Sequence, residues 1–98
     1  MITSINHMRV NPENTAAFEA ILTDVCAKVR ENEPGSIHYS FARSAKDPNT
    51  YVVIEIFRDE ASVLAHADTD FIKASIPKAS LLVEDGRIDV QRYVSAGA

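Results

Sequence analysis

The chain has one cysteine, three glycines and no tryptophan, and its ten Lys and Arg are outnumbered by fourteen Asp and Glu. Each shortage removes a class of function. A lone Cys26 makes no internal disulfide and no cysteine-based metal site, and it fits a reducing compartment. Gly35, Gly86 and Gly97 all fall in turn or tail positions, so no glycine-rich loop exists to cradle a phosphate. A net charge of −4 argues against a nucleic-acid groove, which needs clustered Lys and Arg, and against an anionic membrane surface. No apolar run approaches the roughly 20 residues of a membrane-spanning helix. The opening Met1-Ile2-Thr3-Ser4-Ile5-Asn6-His7 lacks the basic-then-apolar layout of a signal peptide, and a cytoplasmic protein is expected. His7, His38 and His66 have no close spacing, so no metal site is expected.

What is present reads as one domain over residues 1–98. Residues 1–10 alternate as a strand, with Ile2, Ser4, Asn6, Met8 and Val10 on one face and Thr3, Ile5, His7 and Arg9 on the other. Asn11-Pro12-Glu13 is a helix start, with Asn11 as cap. Phe18, Ile21, Leu22, Val25 and Val29 then make a helical stripe with Cys26 on its edge. Glu33-Pro34-Gly35 ends the helix. Ile37, Tyr39 and Phe41 alternate with His38, Ser40 and Ala42 as a strand. The turn Lys46-Asp47-Pro48-Asn49 joins it to strand 51–58 in a hairpin.

Tyr51-Val52-Val53-Ile54-Glu55-Ile56-Phe57-Arg58 is apolar on both faces, so it needs two covers. Residues 59–66 follow as a short helix, with Ala61, Leu64 and Ala65 expected inward. Asp68-Thr69-Asp70 breaks it and caps a second short helix carrying Phe71, Ile72 and Ile76, which Pro77 either limits or joins in its last turn. Leu81-Leu82-Val83 leads to a turn at Glu84-Asp85-Gly86. Residues 87–94 form the last strand, and Ser95–Ala98 a frayed tail.

The order β-α-β-β-α-β predicts an α+β, ferredoxin-like fold with a four-stranded antiparallel sheet and helices on one face. The other face carries aliphatic residues of strand 51–58. Two copies packing sheet to sheet, as an α+β barrel, would cover it, so a homodimer is expected.

A few residues could carry chemistry. His66 ends a helix, where the last carbonyls favour a positive charge. It reads as a proton donor or acceptor at a pocket rim, or as a capping or solvent-facing histidine. Glu55 shares a strand face with Tyr51, Val53 and Phe57, and a carboxylate there needs a partner. It either bonds a backbone amide or an Arg of a partner chain (Arg43, Arg58 or Arg92), or it acts as a base. Asn6 offers an amide to a substrate oxygen or a developing oxyanion, or else bonds across strands. Tyr39, Phe41, Phe57 and Phe71 either line an aromatic-accepting pocket or form ordinary core. His7 and His38 read as surface histidines of strands.

Three stretches share the pattern of a known family. They are Glu33-Pro34-Gly35-Ser36-Ile37-His38-Tyr39, the run from Asp47-Pro48 through Tyr51, Glu55 and Phe57 to Asp59, and Ala61-Ser62-Val63-Leu64-Ala65-His66-Ala67-Asp68-Thr69. In this order they resemble the antibiotic biosynthesis monooxygenase (ABM) domain family over nearly the whole chain. The resemblance implies a homodimer with packed sheets. It also implies relatives that include cofactor-free oxygenases of quinols and polycyclic phenols, haem-degrading enzymes and a protein of autoinducer breakdown. In such oxygenases the deprotonated substrate itself reduces oxygen, so no metal or flavin is implied. Asn6 matches the family's first-strand Asn, Phe57 the aromatic position that is often Trp, and His66 the family histidine. The missing Trp departs from the haem-degrading branch. Phe71 stands two residues after Thr69, where the autoinducer and quinol branches often have a second His.

The expectation is a cofactor-independent monooxygenase, an oxidoreductase acting on a small aromatic, quinol or polyphenol. Asn6 and His66 would be catalytic; Tyr39, Phe57, Phe71 and Glu55 would bind the substrate. The alternative is a non-catalytic dimer of the same fold that sequesters a small hydrophobic molecule. An RNA-recognition module of the same strand order would need stacking aromatics in a basic, glycine-containing third strand, and Tyr51–Arg58 has none. A metal chaperone would need paired cysteines.

Overall fold

The structure, a computed structural model, describes residues 1–97. Along the chain come β1 (Ile2–Val10), a 3-10 turn (Pro12–Asn14), α1 (Thr15–Asn32), β2 (Ser36–Arg43), β3 (Thr50–Phe57), α2 (Glu60–Ala67), α3 (Asp70–Ser80) and β4 (Val83–Val94). The strands form one antiparallel sheet in the order β2-β3-β1-β4. This is the ferredoxin-like arrangement that the sequence predicts. None of the described helices is long and apolar enough to cross a membrane.

The period-two pattern of the strands decides what faces the helices. On β1 it turns Ile2, Ser4, Met8 and Val10 inward to full burial, and on β3 it turns Tyr51, Val53 and Phe57. Helix α1 lays Phe18, Leu22, Val25, Cys26 and Val29 on them, each large side chain contributing about 1.5–3 kcal/mol by leaving water. Phe18 meets Tyr51 in a tilted pair with centroids 5.0 Å apart.

Four local expectations change. Asn11 makes no side-chain cap. Pro12 first closes a 3-10 turn in which the Asn14 N–H donates to the Asn11 carbonyl at 2.8 Å, so α1 begins at Thr15. On α2 the inward face is Ser62, Val63 and His66, while Ala61, Leu64 and Ala65 are exposed, Leu64 by 64%. Polar docking of this helix, described below, overrides its apolar pattern. Pro77 sits in the last turn of α3, one of the two places expected for it, and the Leu81 N–H reaches the Pro77 carbonyl at 3.3 Å. Glu84-Asp85-Gly86 is not a turn between elements but an irregularity within β4. Val83 pairs with Val10 and Ile88 with Met8, and Asp85 and Gly86 hold φ of 55° and 63°. Both residue types tolerate that left-handed region, so the strand bends there and continues. Of the expected frayed tail, Ser95 donates its backbone N–H to the Met1 carbonyl at 3.0 Å, and Ala98 lies outside the described residues.

The helices do not cover all of the sheet. On the open face Thr3, Ile5, Val52, Ile54 and Ile56 are half-buried only by their neighbours. Along β4 even the helix side is uncovered, with Val90 57% and Val94 75% exposed.

Candidate active site

Between the sheet and helices α1 and α3 lies a cavity of about 480 Å3. Its walls are apolar: Met8, Phe18, Leu22, Val53, Ile72, Ile76, Val83 and Ile88 among them. Polar groups enter from the sheet floor (Asn6, Glu55 and Tyr39), from α2 (His66) and from α3 (Lys73 and Ser80). The strand pattern explains their convergence. Asn6 and Glu55 occupy inward positions on neighbouring strands, where Ser4 pairs with Glu55 and Asn6 with Val53. They are diagonal neighbours on one face, within side-chain reach.

The amide of Asn6 donates to Glu55 Oε2. Glu55 Oε1 stands 3.4 Å from His66 Nε2, and His66 Nδ1 stands 2.7 Å from Glu33 Oε1. A continuous polar row therefore runs Asn6, Glu55, His66, Glu33. The His66 ring is held on its sides by Tyr39 and Phe57, with centroids 5.3 Å and 5.0 Å away. Its position on α2 is set from both ends. Asp59 caps the helix by accepting from the Ser62 N–H at 2.8 Å and from Ser62 Oγ at 2.6 Å. Thr69 Oγ1 donates to the His66 carbonyl at 2.9 Å. Gly35 lets α2 approach, because a Cβ there would lie 2.2 Å from Ser62 Oγ.

Burial is the largest influence on Glu55 and pushes its carboxyl up from the ordinary value. The Asn6 hydrogen bond, His66 and Arg92 oppose that rise, and Glu33 adds to it. Burial likewise drives the Tyr39 phenol far up, helped by negative charge at Glu55, Cys26 and Glu33, so Tyr39 stays neutral. Burial also raises the Cys26 thiol, which suits a packing role. A raised carboxyl within reach of an imidazole, beside an apolar cavity, can take a proton from a bound hydroxyl. Among the described residues no group of three His, Cys, Asp or Glu has an arrangement that could hold a metal ion.

The structure thus brings together Asn6, Glu55, Tyr39 and His66 of the expected site residues. Phe57 is fully buried and stands behind His66 rather than on the cavity wall. Phe71 is half-buried against the hydrophobic core and lines a shallow groove with Lys28, Glu31 and Asn32 of α1, not the cavity. The expectation that both wall the cavity is corrected here: one inward position of β3 points into solid core, and the α3 face that carries Phe71 turns to α1. Within the chain Glu55 accepts from the side-chain amide of Asn6 rather than from a backbone amide. Glu33 was read only as a helix stop. A signal for it exists, since a carboxylate at a helix C-terminus faces the negative end of the helix dipole. Such a group calls for a nearby donor, and His66 provides it.

The model of the family described as antibiotic biosynthesis monooxygenase matches residues 1–78. The chain belongs to that family. Among solved ABM-like structures, a Caulobacter crescentus protein titled a "putative antibiotic biosynthesis monooxygenase" superposes with a TM-score of 0.91. It is 27% identical, and the match covers 98% of this chain and 90% of that one. Rv0793 of Mycobacterium tuberculosis shares the fold with a TM-score of 0.88 at 18% identity, over 99% and 96% of the two chains. In sequence, the uncharacterized Synechocystis protein sll1783 is 25% identical over 92 residues, 93% of this chain. The chain spans 62% of the length of that curated relative.

Proposed function

We propose that this ABM-family protein is a cofactor-independent monooxygenase that oxidises a small aromatic, quinol or polyphenol. The observation that carries the reading is the apolar cavity of about 480 Å3 with Asn6, Glu55 and His66 gathered on one part of its wall. Flat aromatic rings suit the apolar walls, and a phenolic hydroxyl suits the polar end. The hydroxyl proton passes to the Glu55–His66 pair. The electron-rich ring left behind reduces molecular oxygen. One oxygen atom joins the ring carbon and the other leaves as water, as in oxidation of an anthrone to an anthraquinone. No resident cofactor is asked for, because the deprotonated ring is itself the reductant. The Asn6 amide orients an oxygen, the neutral Tyr39 packs beside the ring of His66, and the protein contributes position and proton handling.

The active unit in this reading is a homodimer. The half-covered aliphatic row Ile5, Val52, Ile54 and Ile56 suits a second copy's identical face.

Oxygen uptake with a panel of hydroquinones and anthrones tests the reaction. Wild type is expected to turn over at least one aerobically and none anaerobically. His66→Ala is expected to lose about 10²–10⁴-fold in kcat. Equal background rates for both proteins on every compound remove the oxygenase reading. Tight binding of such a compound without oxygen uptake points instead to the sequestering dimer.

A further inference from the structure

We propose that Glu33 is the positioning residue for His66: by accepting the Nδ1 proton it leaves Nε2 as the basic ring atom turned toward Glu55 and the cavity. The proposal rests on the oxidation reading for its catalytic consequence, but its geometry stands apart from it. The Glu33 and His66 side chains are 9% and 10% exposed, and they meet at 2.7 Å. Between a carboxylate and an imidazole the shared proton rests on the ring, and the carboxylate is acceptor only. With Nδ1–H so engaged, a neutral ring presents a lone pair at Nε2, which stands 3.4 Å from Glu55 Oε1. Packing by Tyr39 and Phe57 prevents the ring from turning over.

Glu33 is itself fixed. Its N–H donates to the Val29 carbonyl at 3.0 Å and its carbonyl accepts from the Ser36 N–H at 3.1 Å. Its other oxygen, Oε2, is buried without a partner among the described residues. An orphaned buried acceptor is a cost that the fold tolerates. It is explained if Oε1 must face His66. His66 lines the inner cavity, while Glu33 lines a groove with Gly35, Arg58 and Ser62.

Glu33→Gln makes the idea testable without changing side-chain volume. If the new carbonyl oxygen occupies the unpartnered position, the buried environment is unchanged there. The opposite orientation would strand two N–H groups in it, which costs more. The amide nitrogen therefore faces Nδ1 and donates to it. The ring proton moves to Nε2, where Glu55 accepts it, and Nε2 can no longer take a proton from substrate.

The experiment reads the 15N resonances of the His66 ring in wild type, Glu33→Gln and the exposed control Glu60→Gln, alongside kcat and KM. Expected is an Nδ1–H ring in wild type and in the control, and an Nε2–H ring in Glu33→Gln. The kcat of Glu33→Gln should fall about 10²-fold or more, with KM unchanged within about twofold. A ring proton that stays on Nδ1 in Glu33→Gln overturns the proposal. So does a reversed ring with undiminished kcat. A reversed ring in a protein whose wild type oxidises nothing upholds the hold of Glu33 on the ring and removes the oxidation reading instead. A melting curve close to wild type shows that the variant is folded.

Discussion

Glu55 is the residue through which pH acts on this fold. Its carboxyl is raised above the ordinary 4.5, chiefly by burial. Above 4.5 the unfolded chain releases a proton that the native chain still holds. Stability from this group therefore falls as pH rises from about 4.5 through the raised native value, and levels off beyond it. Asp47, Asp59 and Asp68 are held below 3.8 by hydrogen bonds; they lose stability only at the acid end, so the two windows separate. Glu55→Gln should melt with a flatter pH dependence than wild type on the alkaline side of 4.5. Parallel Tm curves for the two proteins would show that Glu55 is not the source. Of the residues in the polar row, Asn6, Glu55 and His66 were legible because polar groups break an apolar pattern. Glu33 breaks no apolar pattern at a helix end, and its one signal, an acid at the negative end of the helix dipole, names no partner. Its partner lies 33 positions away in sequence, and only folding brings the two together.

At the scale of the element, α2 shows polar anchors setting the rotation of a helix. Its apolar residues predicted an inward face of Ala61, Leu64 and Ala65. The helix instead turns inward the residues that Gly35 and Glu33 engage, Ser62 and His66. Ser62 cannot retreat, since its hydroxyl is held by Asp59 at 2.6 Å. Gly35→Ala would place a Cβ 2.2 Å from Ser62 Oγ and 2.5 Å from Ser62 Cβ. Helix α2 must then shift, at about 1–3 kcal/mol. Differential scanning calorimetry is expected to show Tm lower by about 5–15 °C, and the His66 ring resonances should broaden or move. A variant that melts like wild type would mean that α2 adjusts freely and does not fix His66. The sequence marked Glu33-Pro34-Gly35 as a stop signal, which it is. That the stop also docks the next helix depends on a close approach that no local rule encodes.

For the whole molecule, the helices cover the β2, β3 and β1 side of the sheet and leave β4 and the open face apolar. Ile54 sits at the centre of that face, paired with Ile5 on one side and Ser40 on the other. A charge there desolvates badly if a second copy packs on it and costs little if water covers it. In sedimentation at micromolar concentration, wild type is expected as a dimer and Ile54→Asp as a folded monomer. A wild-type monomer with an intact fold would rule out sheet-to-sheet pairing.

The periodicities of the sequence determined by themselves that four strands and a helical layer alternate in ferredoxin-like order. A period of two or of 3.6 is a local property, written within each segment. They also determined that Asn6 lies on one face with Ile2, Met8 and Val10, and Glu55 on one face with Tyr51, Val53 and Phe57, because parity along a strand is fixed once the strand exists. Tertiary structure alone decided that Phe57 and Phe71 stand off the cavity, that Glu84-Asp85-Gly86 bends a strand rather than ending one, and that His66 lies between two carboxylates. Those outcomes depend on how rigid elements rotate and approach one another. Short-range packing between residues distant in sequence sets that, and no window of the chain contains it.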